Sequence, residues 1–402
     1  AYVSYQTGYL KAHFPSEFMA ALLSRNLSDI KNLTLYMQEC KRMNIQVLGP
    51  DVNASLHKFS SDKQGNVRFG LAAIKGVGEA AVNSIVEERR RNVPFKDIYD
   101  FMERINFQTI NRKTLEGLAN AGALDNIAGF HRSKFFAKCD TDNTFLELLI
   151  KYGIKVQSEK NNSQQSLFGG TQGIVDIQRP LLPVCDDWSK LETLNREREV
   201  VGLYLSSHPL DDYAVIIDNL STTSLNELGD LPALNGKEFT VAGMVTSVQN
   251  LMTKTGRPYG RFTLEDYNGT HEFVLFSKDY ENFRKYLFTD YFLMVRGKVR
   301  PKSYRPEELE VNIVQMMQLS EVQDTMLREI TIQVPVGDIT PEVIGAFKNA
   351  VENSQGKLTL RIKVFEPSSE VGVGLYSKTR KVSLTPELIG FCKENEFKYK
   401  IV

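Results

Sequence analysis

The sequence predicts a multidomain α+β protein, and three observations carry that prediction. Apolar residues recur at helical spacing through the N-terminal region and change to strict alternation between residues 235 and 320. A tight Gly76-Val77-Gly78 turn separates two short apolar runs, Leu71 to Ile74 and Ala80 to Val86, which makes a helix, a hairpin and a second helix. Between the two regimes lies a stretch from Lys155 to Asp187 rich in Ser, Gln, Asn, Gly and Pro, the composition of a linker.

Composition narrows the function. With 402 residues, 42% hydrophobic and 24% charged, the chain is a folded globular one with room for about three domains. Lys plus Arg and Asp plus Glu both number 49, so no global basic field exists and any nucleic-acid contact must be local or helped by a partner. Cys40, Cys139, Cys185 and Cys392 are far apart and form no C-x-x-C pair, which argues against a zinc site or disulfide framework and fits a reduced, cytoplasmic setting. No run approaches the roughly 20 apolar residues of a membrane span, so no membrane partner is expected. The adjacent pairs Asp186-Asp187 and Asp211-Asp212 sit in turns, where neighbouring side chains diverge. No residue is assigned a catalytic or metal-binding role.

In chain order, residues 1–55 read as helices, with Pro15 breaking the first, Ser16 capping the second and Ser28 the third; Ile30, Leu33, Met37 and Cys40 recur at helical spacing in that third helix. Residues 56–138 form the hairpin domain. Extended pieces near Phe59 and at Val67 to Phe69 flank a turn at Asp62 to Asn66 and lead into the hairpin. Glycines there leave no side chain between backbone N–H groups and a ligand, and the following helix points its positive dipole end the same way. A phosphate of duplex DNA suits such a site, gripped without sequence readout, with Lys75, Gly76, Val77 and Gly78 as the contact residues. An ordinary glycine-turned helix pair is the alternative. Ala121-Gly122-Ala123 is a degenerate second hairpin, giving a paired helix-hairpin-helix unit, and Arg112 and Lys113 beside it read as solvated charge, with backbone contact the alternative.

Residues 139–188 are expected to be a linker. Within it Gln164, Leu167 and Phe168 place a polar hook ahead of two large apolar residues that have no core to join, the pattern of a peptide for a partner's pocket. Residues 189–232 read as a helical connector opened by a Ser189 and Glu192 capping box. Residues 233–320 give strand, strand, strand, helix, strand, strand, the order of an OB-fold β-barrel. Lys254 and Arg257 in its first turn, with Tyr259 and Arg261 on the next strand, offer charge and an aromatic for single-stranded DNA, whereas Phe262 and Leu264 face inward. The alternative is a protein-docking barrel with merely solvated charges. Residues 325–402 form a small α+β domain whose helices start at the matching Thr340-Pro341-Glu342 and Thr385-Pro386-Glu387, with five strands, among them Gly372 to Tyr376 and Arg380 to Leu384.

The segments YQTGYLKAHFPSEFMAALLS, the hairpin run, QQSLF and EREVVGLYLSSHPLDDY resemble C-family bacterial replicative DNA polymerases along essentially the whole chain. The resemblance implies that residues 1–55 are the remnant of a helical fingers domain and that QQSLF is a sliding-clamp peptide, although its second position departs from the preferred Leu. It also implies that the C-terminal domain contacts a clamp-loader subunit. The family's Mg2+ and dNTPs belong to palm-domain carboxylates that this sequence does not show, so the chain reads as an inactive portion of a nucleotidyltransferase and needs no cofactor itself. Two alternatives stand beside this reading: the error-prone branch of the same family, and a stand-alone nucleic-acid-binding protein.

Overall fold

The computed structural model describes residues 2–27, 29–139, 142–165, 177–302, 305–368 and 371–401. The chain divides into two compact units, Ala1–His208 and Pro209–Val402.

The first unit opens with α1 (Tyr2–His13), α2 (Pro15–Arg25) and α3 (Ile30–Arg42). Pro15 takes the first position of α2, where its missing N–H is no loss. Ser16 is therefore not a cap: it lies inside the helix and donates its hydroxyl to the Gly65 carbonyl. The cap of α3 is Asp29, whose carboxylate accepts the Asn32 N–H at 3.1 Å, while Ser28 lies outside the described residues.

Strands β1 (Val47–Leu48), β2 (Ser60–Ser61) and β3 (Val67–Arg68) make a small sheet in the order β1-β3-β2. The Asp62 carboxylate closes the turn between the last two by accepting the N–H groups of Gln64 and Asn66 at 2.9 and 2.8 Å. Because β1 pairs with β3, the expected boundary at 55/56 falls inside one hydrophobic core, which includes Met19, Phe69, Ile85, Phe101, Leu149 and Val201.

A one-turn 3-10 segment, Leu71–Ala73, precedes α4 (Glu79–Arg91), and α5 (Ile98–Arg104), α6 (Arg112–Asn120), α7 (Asp125–Ala128) and α8 (Ser133–Phe136) follow. The linker expected over 139–188 does not begin where the composition suggested, since α9 (Phe145–Gln165) occupies much of it. Thr144 and Glu147 form a capping box, with the Thr144 N–H donating to Glu147 Oε2 at 2.7 Å. Phe145, Leu149, Tyr152 and Val156 then recur at helical spacing and are buried. That periodicity outweighs the polar composition of the later turns. Helix α10 (Lys190–Val201), capped by Ser189 through the Glu192 N–H at 3.1 Å, packs on α6. The expected connector 189–232 is thus shared out: α10 belongs to the first unit and residues from Pro209 to the second.

In the second unit α11 (Ala214–Leu220) leads to β4 (Glu238–Met252), β5 (Pro258–Glu265), β6 (Thr270–Phe276), α12 (Ser277–Phe283), β7 (Phe292–Lys302) and β8 (Arg305–Gln318). The strands pair in the order β6-β5-β4-β7-β8, around a core of Phe239, Val245, Phe262, Leu264, Phe273 and Val295. This is the OB arrangement, although among the described residues the ladder does not close into a barrel.

After α13 (Leu319–Met326) come β9 (Glu329–Pro335), α14 (Pro341–Glu352), β10 (Gln355–Phe365), β11 (Gly372–Val382), α15 (Pro386–Glu394) and β12 (Lys398–Ile401), with sheet order β11-β10-β9-β12. Thr340 and Thr385 cap their helices as expected, accepting the Val343 and Leu388 N–H groups at 3.3 and 3.4 Å. The two strands expected at Gly372 to Tyr376 and Arg380 to Leu384 are the single strand β11. Ser377-Lys378-Thr379 carries no Gly or Pro to stop a strand, and a register irregularity between Thr359 and Arg361 of β10 takes up the extra length.

Candidate nucleic-acid interface

Every conformational demand of the first hairpin falls on Gly76. Its φ of +86° is a region that side chains rarely adopt, and the turn closes with the Val77 N–H donating to the Ile74 carbonyl at 3.1 Å. Helix α6 presses on the turn from behind. The Thr114 hydroxyl donates to the Gly76 carbonyl at 3.1 Å, and Gly117 permits the approach, since a Cβ there would lie 3.0 Å from the Lys75 carbonyl oxygen. The Lys75 N–H donates to the Val200 carbonyl of α10 at 2.8 Å and is consumed inside the protein. Of Lys75, therefore, only the exposed side chain remains for a ligand. Val77 is likewise a core residue, 6% exposed, so it can offer only its backbone.

Gly78 is different. Its φ of −77° suits any residue, it is exposed, and a Cβ added there would meet nothing within 4 Å. The fold does not require glycine at this position; what glycine supplies is unobstructed access to the start of α4. That helix begins with no side-chain cap, leaving its first N–H groups and the positive end of its dipole at the exposed turn.

The second hairpin also turns on a glycine at positive φ, closed by the Gly122 and Ala123 N–H groups on the Ala119 and Leu118 carbonyls, but it is filled. Gly122 has φ +79°, but a Cβ on it would collide with Arg132 Nη2, because the guanidinium lies directly on the turn. Arg132 pairs with Asp125 at 2.7 Å and donates to the Asn120 carbonyl and to Glu197 Oε2, both at 3.2 Å. Desolvation works against its charge, yet the hydrogen bonds and charge of Asp125, then Glu197, outweigh it and move its pKa above the ordinary guanidinium value. Glu197, fully buried on α10, also accepts the N–H groups of Leu205 and Ser206 at 2.6 and 2.8 Å and the Ser206 hydroxyl at 2.5 Å. Removing Arg132 would leave that charge uncompensated, a loss of about 3–5 kcal/mol for buried pairs. One end of α10 thus holds the first hairpin through Lys75 and its middle holds the plug of the second.

In the OB domain Lys254 and Arg257 are exposed in the β4–β5 turn, which the Thr253 hydroxyl closes by accepting the Arg257 N–H at 3.0 Å. Tyr259 stacks on Phe276 across the β5–β6 pair, 5.3 Å between ring centroids at 20°. Phe276 is 55% exposed, an aromatic surface that sequence reasoning missed. The alternation in Phe273-Val274-Leu275-Phe276 puts Phe273 and Leu275 inside and could have flagged it. Arg261 lies opposite Val274 on the same pair of strands, with Glu272 3.5 Å from Nη1. Phe262 and Leu264 are fully buried, as expected. Leu167 and Phe168 lie outside the described residues, and Gln164 is described only as part of the α9 backbone. No group of three or more His, Cys, Asp or Glu side chains among the described residues is placed to hold a metal ion.

Family models match three parts of the chain: the helix-hairpin-helix motif at 44–135, the OB-fold nucleic acid binding domain at 239–319, and, at 330–402, the C-terminal domain of the DNA polymerase III alpha subunit. Curated relatives align along nearly its whole length. The DNA polymerase III subunit alpha of Haemophilus influenzae is 33% identical over 92% of this chain, and that of Thermus aquaticus 31% identical over all of it. The chain belongs to the DNA polymerase III alpha-subunit family. It spans about a third of its relatives' length, 31% of the alpha subunit in both organisms and 32% in Vibrio cholerae, where identity is 30%. The match at 330–402 identifies the last sheet and its two helices as the C-terminal domain of the family. Among the described residues, no helix is long and apolar enough to cross a membrane.

Proposed function

We propose that this chain is the DNA-gripping, sliding-clamp-binding and replisome-docking portion of a replicative DNA-directed DNA polymerase, working in the cytoplasm. The observation that carries the reading is the contrast between two similar hairpins, one plugged by Arg132 and the other open at Gly78. An open turn with unused N–H groups ahead of an uncapped helix suits a backbone phosphate, whose repetition along a duplex makes the grip independent of sequence. The OB face of Lys254, Arg257, Tyr259 and Arg261, enlarged by Phe276, suits single-stranded DNA by charge and stacking. Exposed Val274 and Phe276 with Glu272 beside Arg261 also suit a protein surface, which is the second reading of that domain. Gln164, Leu167 and Phe168 are proposed to dock on the clamp, and the C-terminal domain on a clamp-loader subunit, on the family resemblance. The chain is expected to extend no primed template alone; the nucleotidyl transfer of the family, with its Mg2+ and dNTPs, is assigned to carboxylates other than those seen here.

The test is Gly78→Leu. Its backbone conformation accepts any residue and a Cβ there meets nothing within 4 Å; Leu is a poorer N-cap than Gly by about 1 kcal/mol, so the melting temperature should fall by no more than a few degrees. Duplex affinity should fall by about 1–3 kcal/mol, equally for unrelated sequences, because one or two charge-assisted bonds are blocked. Unchanged affinity would return the hairpin to a purely structural role.

A further inference from the structure

We propose that Lys113 is a second phosphate-contacting cation of the first hairpin, an inference that rests on the duplex-gripping reading above. It comes from the other half of the paired unit, yet α6 carries it to the mouth of the first turn. Asn111 caps α6 by accepting the Thr114 N–H at 3.0 Å, and the Thr114 hydroxyl fixes that first turn to the Gly76 carbonyl at 3.1 Å. Lys113 then lays its stem along Gly76, its Cγ and Cε 3.5 and 3.6 Å from where a Gly76 Cβ would stand. The residue is exposed, and no ion pair engages it or Lys75 among the described residues.

Its neighbour shows what a merely structural cation looks like here. Arg112 Nε donates to Glu116 Oε1 at 2.7 Å, and Nη1 donates to Glu147 on α9. Two adjacent basic residues are therefore divided, one tied to carboxylates and one left against the open turn. Lys75 reaches the turn along the chain and Lys113 from the facing helix, so both flank Gly76. In a chain with equal numbers of basic and acidic residues, two unpaired cations at one turn are a local positive site of the kind a phosphate requires. Beyond the Lys113 stem the turn stays open at Gly78, where a Cβ would meet nothing within 4 Å.

The experiment is a salt titration of duplex binding by the full chain, using two fluorescent duplexes of unrelated sequence. Lys113→Met keeps the methylene stem on Gly76 and removes only the charge. It should lower the slope of log affinity against log salt by about one, as Lys75→Ala should, because one fewer counterion is released. Lys113→Arg should restore the slope, and Arg112→Ala should leave it at the wild-type value. A wild-type slope for Lys113→Met beside a reduced slope for Lys75→Ala would overturn the assignment of Lys113 and leave the hairpin grip standing. Wild-type slopes for both would overturn the grip as well.

Discussion

At the scale of single residues, the most informative contrast is between glycines that the backbone needs and one that it does not. Gly76 and Gly122 both sit at positive φ, and the sequence identifies each as a turn. What it could not tell is which turn is open, because the plug is Arg132, ten residues past Gly122, held by Glu197 from a helix far along the chain. Lys75 and Val77 were legible as hairpin residues, but not the fate of the Lys75 N–H or the burial of Val77, since both depend on tertiary partners. His271 gives a titration test at this scale. Burial pushes its imidazole below the ordinary value, with the charge of Glu272 opposing only in part. As pH falls, the unfolded chain takes up this proton before the folded one. Stability that is intact above about pH 6.5 is therefore lost as pH drops through the folded value. Between pH 7.5 and 5 the OB domain should lose melting temperature, and His271→Phe should flatten that part of the curve; parallel curves for the two proteins would contradict the burial argument.

At the scale of elements, alternation predicted the five OB strands in order, and the inward placement of Phe262 and Leu264 followed from it. The end of β6 was harder to read, because a terminal Phe can close a core or leave it. Helix α9 escaped notice for the opposite reason: the Ser, Gln and Asn of its last turns overshadow the earlier spacing of Phe145, Leu149 and Val156. Composition averages over a window, whereas burial answers to the period of a few side chains. The OB surface can be assigned by charge reversal at Lys254, Arg257 and Arg261 together. If this face holds single-stranded DNA, the triple variant should lose single-strand affinity while duplex binding by the hairpin stays largely intact. Loss of both in equal measure, with a normal melting curve, would mean the two surfaces are wrongly divided; retained single-strand binding would favour the protein-docking reading.

At the scale of the whole molecule, the balance of 49 basic and 49 acidic residues is the governing fact. A neutral chain holds DNA weakly at physiological salt, and a replicative role then calls for a tether that raises the local concentration of polymerase at the primer. Leu167 and Phe168 are the proposed anchors of that tether, with Gln164 at the pocket rim. Replacing both anchors by Ala should weaken clamp binding more than a hundredfold, at about 1.5–3 kcal/mol for each buried side chain. The melting temperature should not move. Calorimetry beside a thermal melt reads both, and retained clamp binding or a large fall in melting temperature would place the tether elsewhere.

The central claim is that the first hairpin, and not its plugged twin, meets the duplex. It is tested most directly by recording the backbone amide signals of the full chain by NMR while duplex DNA is added. With the duplex on the first hairpin, the N–H signals of Gly76, Gly78 and Glu79 should shift strongly at low salt and return as salt is raised, while those of Ala121, Gly122 and Ala123 stay in place. Shifts centred on Gly122, or none at Gly76 to Glu79 under conditions where the duplex is bound, would contradict it.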